Sequence, residues 1–132
     1  FADFDVFGDE NAEKAIITYG RTFSACAFAY EKLVNSGESV KLIKLNRIIP
    51  VCEGAVEAAK NCKDVYFFEE GIRRGGAGEG FLFDLSKAGF SGKYHLRAIE
   101  NGFVKQASVE SLLHKYGFDE EGVLSFVTSA ED

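Results

Sequence analysis

Apolar residues fall along this chain in short runs separated by stretches whose apolar positions lie three and four apart. Ala15 to Tyr19 is β-branched and aromatic and is stopped by Gly20, the mark of a buried strand. From Arg21 to Asn35, Phe23, Cys26, Ala27, Tyr30, Leu33 and Val34 repeat at helical spacing, and Ser36-Gly37 closes the helix. Val40 to Leu45 gives the next strand. After Pro50, Val51 to Lys63 reads as a helix with Val56 and Ala59 inward and Glu53, Glu57 and Lys60 outward. Asp64 to Phe68 is a strand ending in Glu69-Glu70-Gly71. The glycine-rich stretch from Ile72 to Gly80 leads into a helix from Phe81 to Lys87. Tyr94 to Ile99 is a further strand, Val109 to Tyr116 a further helix, and Val123–Val127 a last short one. Phe4 to Phe7 is an extra strand at the start.

Strands alternating with helices through short connections imply an α/β fold: a three-layer α/β/α sandwich over a mostly parallel sheet. With 132 residues the chain fits a single domain, residues 1–132, that buries a sizeable core. At 46% hydrophobic and 27% charged, with one proline, it lies in the globular range and outside the disordered, collagenous and disulfide-scaffold classes. Its apolar runs fall well short of the roughly 20 residues of a membrane helix. No basic segment leads into an apolar one as in a signal peptide. There is no methionine and the first residue is Phe1, so the expectation is a domain belonging to a longer polypeptide.

The net charge of −6 is uneven. Residues 1–13 and 119–132 each carry five acids and no base, which leaves 15 Lys/Arg against 11 Asp/Glu between them. Those bases are scattered one per element and form no stripe with aromatics, so neither nucleic acid nor membrane is an expected partner. Cys26, Cys52 and Cys62 are too far apart for the paired ligands of a structural zinc site and read as reduced thiols of a cytoplasmic protein.

The candidate chemistry is sparse. Arg73, Arg74, Gly75, Gly76 and Gly78 make a candidate anion loop between a strand and a helix, with Glu100 further on. The spacing is GxGxG and follows a middle strand, so it is not a dinucleotide fingerprint. Glycines that supply positive φ or close helix–sheet packing are the plainer account of it. Glu69 and Glu70 end a strand, where α/β proteins place functional groups, but neighbouring strand residues face opposite ways, so at most one of them enters a cleft. His95 and His114 have no Cys, Asp or Glu at ligand or triad spacing. Cys52 sits by a helix start, where the dipole favours a thiolate, but no base is near it in sequence. No catalytic and no metal-binding constellation emerges.

The order of segments carries more than any one motif. It comprises Ile16-Ile17-Thr18-Tyr19-Gly20 opening a helix, then Leu42 to Pro50 before the next. Phe67-Phe68-Glu69-Glu70-Gly71 with Gly75-Gly76-Ala77-Gly78 follows, and Gly102-Phe103-Val104 through Tyr116-Gly117-Phe118-Asp119-Glu120-Glu121-Gly122-Val123 closes it. From about Lys14 to Val127 this order resembles the C-terminal domain of transketolase-like thiamine-diphosphate enzymes, most of all the 1-deoxy-D-xylulose-5-phosphate synthases. The transketolases proper and the beta subunits of 2-oxo-acid dehydrogenases are the neighbouring alternatives. A small anion- or nucleotide-sensing module is the alternative from another class. The resemblance implies a five-stranded sheet with one antiparallel edge strand, Phe4 to Phe7. It implies that thiamine diphosphate and Mg²⁺ are bound outside this domain, between the other domains of a homodimeric parent. It also implies a domain that supports assembly and carries no catalytic residue.

Overall fold

The computed structural model describes residues 2–47, 52–69 and 76–98, and residues 123, 124, 127 and 128 near the C-terminus. Five strands form one sheet: β1 (Phe4–Gly8), β2 (Lys14–Thr18), β3 (Val40–Leu45), β4 (Asp64–Glu69) and β5 (Lys93–Ala98). Their order across the sheet is β1-β3-β2-β4-β5. β1 runs antiparallel to β3, with Val6 opposite Ile43, and every other pairing is parallel. The mixed sheet and its antiparallel edge are as the resemblance implies.

The winding follows from handedness. From β2 the chain crosses through α1 (Phe23–Asn35) to β3 on one side. From β3 it crosses back through α2 (Glu53–Ala59) to β4 on the other side, and α3 (Ala77–Lys87) continues outward to β5. Right-handed crossovers in opposite directions put their helices on opposite faces. α1 accordingly packs with Ile16, Leu42, Tyr66 and Phe68 on one face. α2 and α3 pack with Ala15, Ile17, Val65 and Phe67 on the other. β2, in the middle, is buried along its whole length, as a strand covered on both faces must be.

Val123 and Val127 are helical and fully buried in the α1 layer. The helix expected at Val109 to Tyr116 lies outside the described residues. α1 ends where Ser36-Gly37 indicates. Gly37 has φ 90°, its N–H donates to Val34 O, and Glu38 N–H donates to Leu33 O, the paired closure of a Schellman motif.

Three readings need correction. α1 buries Ala25, Cys26, Ala29 and Leu33 while Val34 stays exposed, because small side chains let the helix approach the sheet along that stripe. α2 is shorter than the stretch from Val51 to Lys63 and gives way to a turn at Lys60 and Asn61. α3 begins at Ala77, inside the glycine-rich stretch read as connection, because that helix start is held from outside by a side chain described next.

Candidate functional site

The winding reverses between β2 and β4, and in open α/β sheets the crevice at the carboxyl ends of such strands is where ligands bind. Here β2 delivers Thr18 and Tyr19, β4 delivers Glu69, and the start of α3 arrives from above. Glu69 is 1% exposed, the most deeply buried of the charged side chains in the core. Gly78 N–H lies 3.2 Å from Oε1 and 3.1 Å from Oε2 of Glu69, the Ala77 N–H also bonds the carboxylate, and the Tyr19 hydroxyl donates to Oε2 at 3.4 Å. Unsatisfied N–H groups at a helix start attract an anion. In this protein the anion is its own glutamate.

Burial pushes the Glu69 carboxyl above its ordinary value. The Gly78, Tyr19 and Ala77 donors oppose that rise, and Glu79 adds a little to it. Tyr94 donates its hydroxyl to Gly78 O at 2.6 Å, and burial, then the charge of Glu69, holds that phenol protonated far beyond its usual range. The closeness of strand and helix depends on Gly78. A Cβ there would strike Leu96 Cδ1 and lie 2.9 Å from Glu69 Oε1 and 3.2 Å from Phe67 Cδ1. Of the two explanations for the glycine loop, close packing therefore holds at Gly78. Positive φ is found at Gly8, Gly20, Gly37 and Gly89, and Gly76 has φ −81°.

Of the candidate anion loop, Gly76 and Gly78 are described and Arg73, Arg74 and Gly75 lie outside the described residues, as do Glu70, Glu100 and His114. An incoming anion at the α3 start has to displace Glu69.

His95, on β5, has a partner that sequence spacing hid. Its Nε2 lies 3.0 Å from Asp64 Oδ1, and its ring stacks on Tyr66 at 4.5 Å between centroids. The register that sets Tyr66 beside His95 creates this pair across 31 positions of chain. Cys52 is buried, and its Sγ lies 3.0 Å from Arg47 O, so its neighbour is an acceptor that suits a thiol and not a base that would make it a nucleophile. Cys26, buried beside Thr18, is pushed up to about 12 by burial and stays a thiol at neutral pH. All three cysteines are free and buried. Among the described residues no three His, Cys, Asp or Glu side chains gather as metal ligands would.

The family model described as Transketolase, C-terminal domain matches residues 8–123. The chain belongs to that family. Curated relatives of this transketolase C-terminal domain carry the name 1-deoxy-D-xylulose-5-phosphate synthase. The one from Bacteroides fragilis is 29% identical over 116 residues, covering 86% of this chain and 18% of its own length. That from Shouchella clausii is 26% identical over 121 residues, covering 91% and 19%. That from Bacillus mycoides is 30% identical over 118 residues, covering 87% and 19%. The chain thus spans under a fifth of the length of these relatives. Among solved structures, an inactive β4 tetramer of a split-gene transketolase superposes with a TM-score of 0.81 at 19% identity, covering 98% of this chain and 43% of that one. The transketolase-like fold read from the order of segments is the fold observed.

Proposed function

We propose that residues 1–132 form a single domain, the C-terminal one of a thiamine-diphosphate-dependent transferase of the 1-deoxy-D-xylulose-5-phosphate synthase type. In such an enzyme pyruvate loses CO₂ and its two-carbon unit joins glyceraldehyde 3-phosphate on the way to isoprenoid precursors. The cofactor supplies the carbanion chemistry, and the protein supplies binding and position. The observation that carries this reading is that the synthases align over 86–92% of the chain. The role within that enzyme is assembly: packing against the other domains and supporting a homodimer.

The crevice supports a non-catalytic role. A diphosphate at the α3 start would have to displace Glu69, which supports a cofactor site elsewhere in the parent. Three free buried thiols suit the reducing cytoplasm we assign to the parent. No described helix is long and apolar enough to cross a membrane.

A chimera tests the assignment. A bacterial synthase whose own C-terminal domain is replaced by this chain is expected to form product from pyruvate and glyceraldehyde 3-phosphate. A folded, dimeric chimera without activity would overturn the synthase reading, and rescue only in a transketolase background would move it to that enzyme. Calorimetry of the chain alone with thiamine diphosphate and Mg²⁺ is expected to show no binding, and micromolar affinity would sink the assembly role.

A further inference from the structure

Lys41 is the second residue of β3, near the amino end of the parallel strands, the end opposite Glu69. It is 3% exposed, and its Nζ donates to two main-chain oxygens, Glu10 O at 2.7 Å and Ala58 O at 2.7 Å. An ammonium carries three N–H donors, and both partners here are neutral. Among the described residues no carboxylate lies within ion-pair distance of Lys41, whereas the other buried lysine, Lys14, pairs with Glu38 at 3.3 Å. A buried charge ordinarily has a counter-charge or a bound ion.

Beside Lys41 lies a cleft of about 610 Å³ between β1 and α2, within the size range of small-molecule sites. Phe4 and Val6 give it an apolar wall. The Phe4 ring lies so close over Gly54 that a Cβ there would sit 2.5 Å from it, which fixes that wall against α2. Asn11 and Asn61 bring side-chain amides, and Glu57, paired with Lys60 at 2.9 Å, stands exposed on the lining. Lys41 also acts on its surroundings: its charge pulls the Cys62 thiol down against the upward push of burial.

We propose that this cleft binds a small organic monocarboxylate, its carboxylate on the Lys41 ammonium and its hydrocarbon part against Phe4 and Val6. The class follows from the lining. One deep cation neutralises one negative charge, and Glu10 and Glu57 on the lining oppose ligands carrying more, such as phosphate. The amides of Asn11 and Asn61 are the donors for the second carboxylate oxygen. The site is at the opposite end of the sheet from the Glu69 crevice and is independent of the reading given above.

Titration of the ¹⁵N-labelled chain with 4-methylpentanoate tests it, with 4-methylpentanamide and inorganic phosphate as controls. The amide signals of Ala12, Gly54, Ala58 and Cys62 are expected to move with the carboxylate, and to move at least tenfold less with the amide or with phosphate at the same concentration. Lys41→Met, checked for folding by circular dichroism, is expected to weaken binding at least tenfold. Val6→Glu, at a position already 39% exposed, sets a negative charge on the cleft wall and is expected to do the same if Lys41→Met does not fold. Equal response to acid and amide, shifts confined to the β5 and α3 end, unchanged affinity in a folded variant, or no shift at tens of millimolar would each overturn the proposal.

Discussion

Glu69 and Lys41 are buried charges at opposite ends of one sheet, and the protein treats them differently. The carboxylate meets two main-chain N–H groups and a tyrosine hydroxyl in a closed crevice. The ammonium meets two carbonyls beside an open cleft. The end where doubly wound proteins usually hold a ligand is plugged from within, and the end that usually only stabilises is the one with room. Burial and spare donors, not position in the fold, decide which end can take a guest.

The comparison breaks most sharply at Glu69. Glu69→Leu keeps the bulk and removes the shared acceptor of the buried Gly78 N–H and of the partly buried Ala77 N–H and Tyr19 hydroxyl, and is expected to cost about 3 kcal/mol in urea unfolding. A loss under about 1 kcal/mol would mean the α3 start is satisfied by other means. Gly78→Val drives a branched side chain into Leu96, Phe67 and Glu69 and should cost about 2 kcal/mol by overpacking. Gly80→Ala, two residues along the same helix with nothing within 4 Å of the new carbon, is expected to gain about 0.5–1 kcal/mol. Equal effects at the two glycines would refute the close-packing account of Gly78. Lys41→Met should cost only about 1 kcal/mol, because water entering through the cleft can serve the two carbonyls it leaves. A cost equal to that of Glu69→Leu would erase the contrast between the two ends.

The smallest effect sharpens the contrast through pH. The folded-state pKa of Glu69 lies above its unfolded value, so between the two the native state binds more protons than the unfolded state. This group's contribution is therefore most favourable in acid. It declines as pH rises from about 4.3, the ordinary glutamate value, through the raised native one. Glu69→Gln removes that part of the slope. Unfolding of both proteins across pH 4 to 8 checks it, and an unchanged slope would detach the pH dependence from Glu69.

Much of the fold is legible in the chain because its strands are either continuous apolar runs or bounded by glycine. Ala15 to Tyr19 stops at Gly20 and Ser36-Gly37 closes a helix, while the edge place of Phe4 to Phe7 comes from the resemblance. What is not legible needs the third dimension. The start of α3 hides among glycines because the group that stabilises it, Glu69, comes from another element. Asp64 and His95 meet only through strand register. Lys41 stands between Val40 and Leu42 like any surface lysine on a strand. Only the arrival of Glu10 and Ala58 from two other segments buries it.

The attachment of β1 has a consequence in time. It joins the sheet by one antiparallel pairing with β3 and reaches β2 through a connection without a helix. Its Phe4 ring is seated on Gly54, and Val6 is half open to solvent. Such an edge exchanges its amide hydrogens by brief local detachment, long before β4 does so by global unfolding. Each detachment lifts Phe4 and Val6 away together, so the apolar wall of the Lys41 cleft lasts only as long as the pairing of β1 with β3.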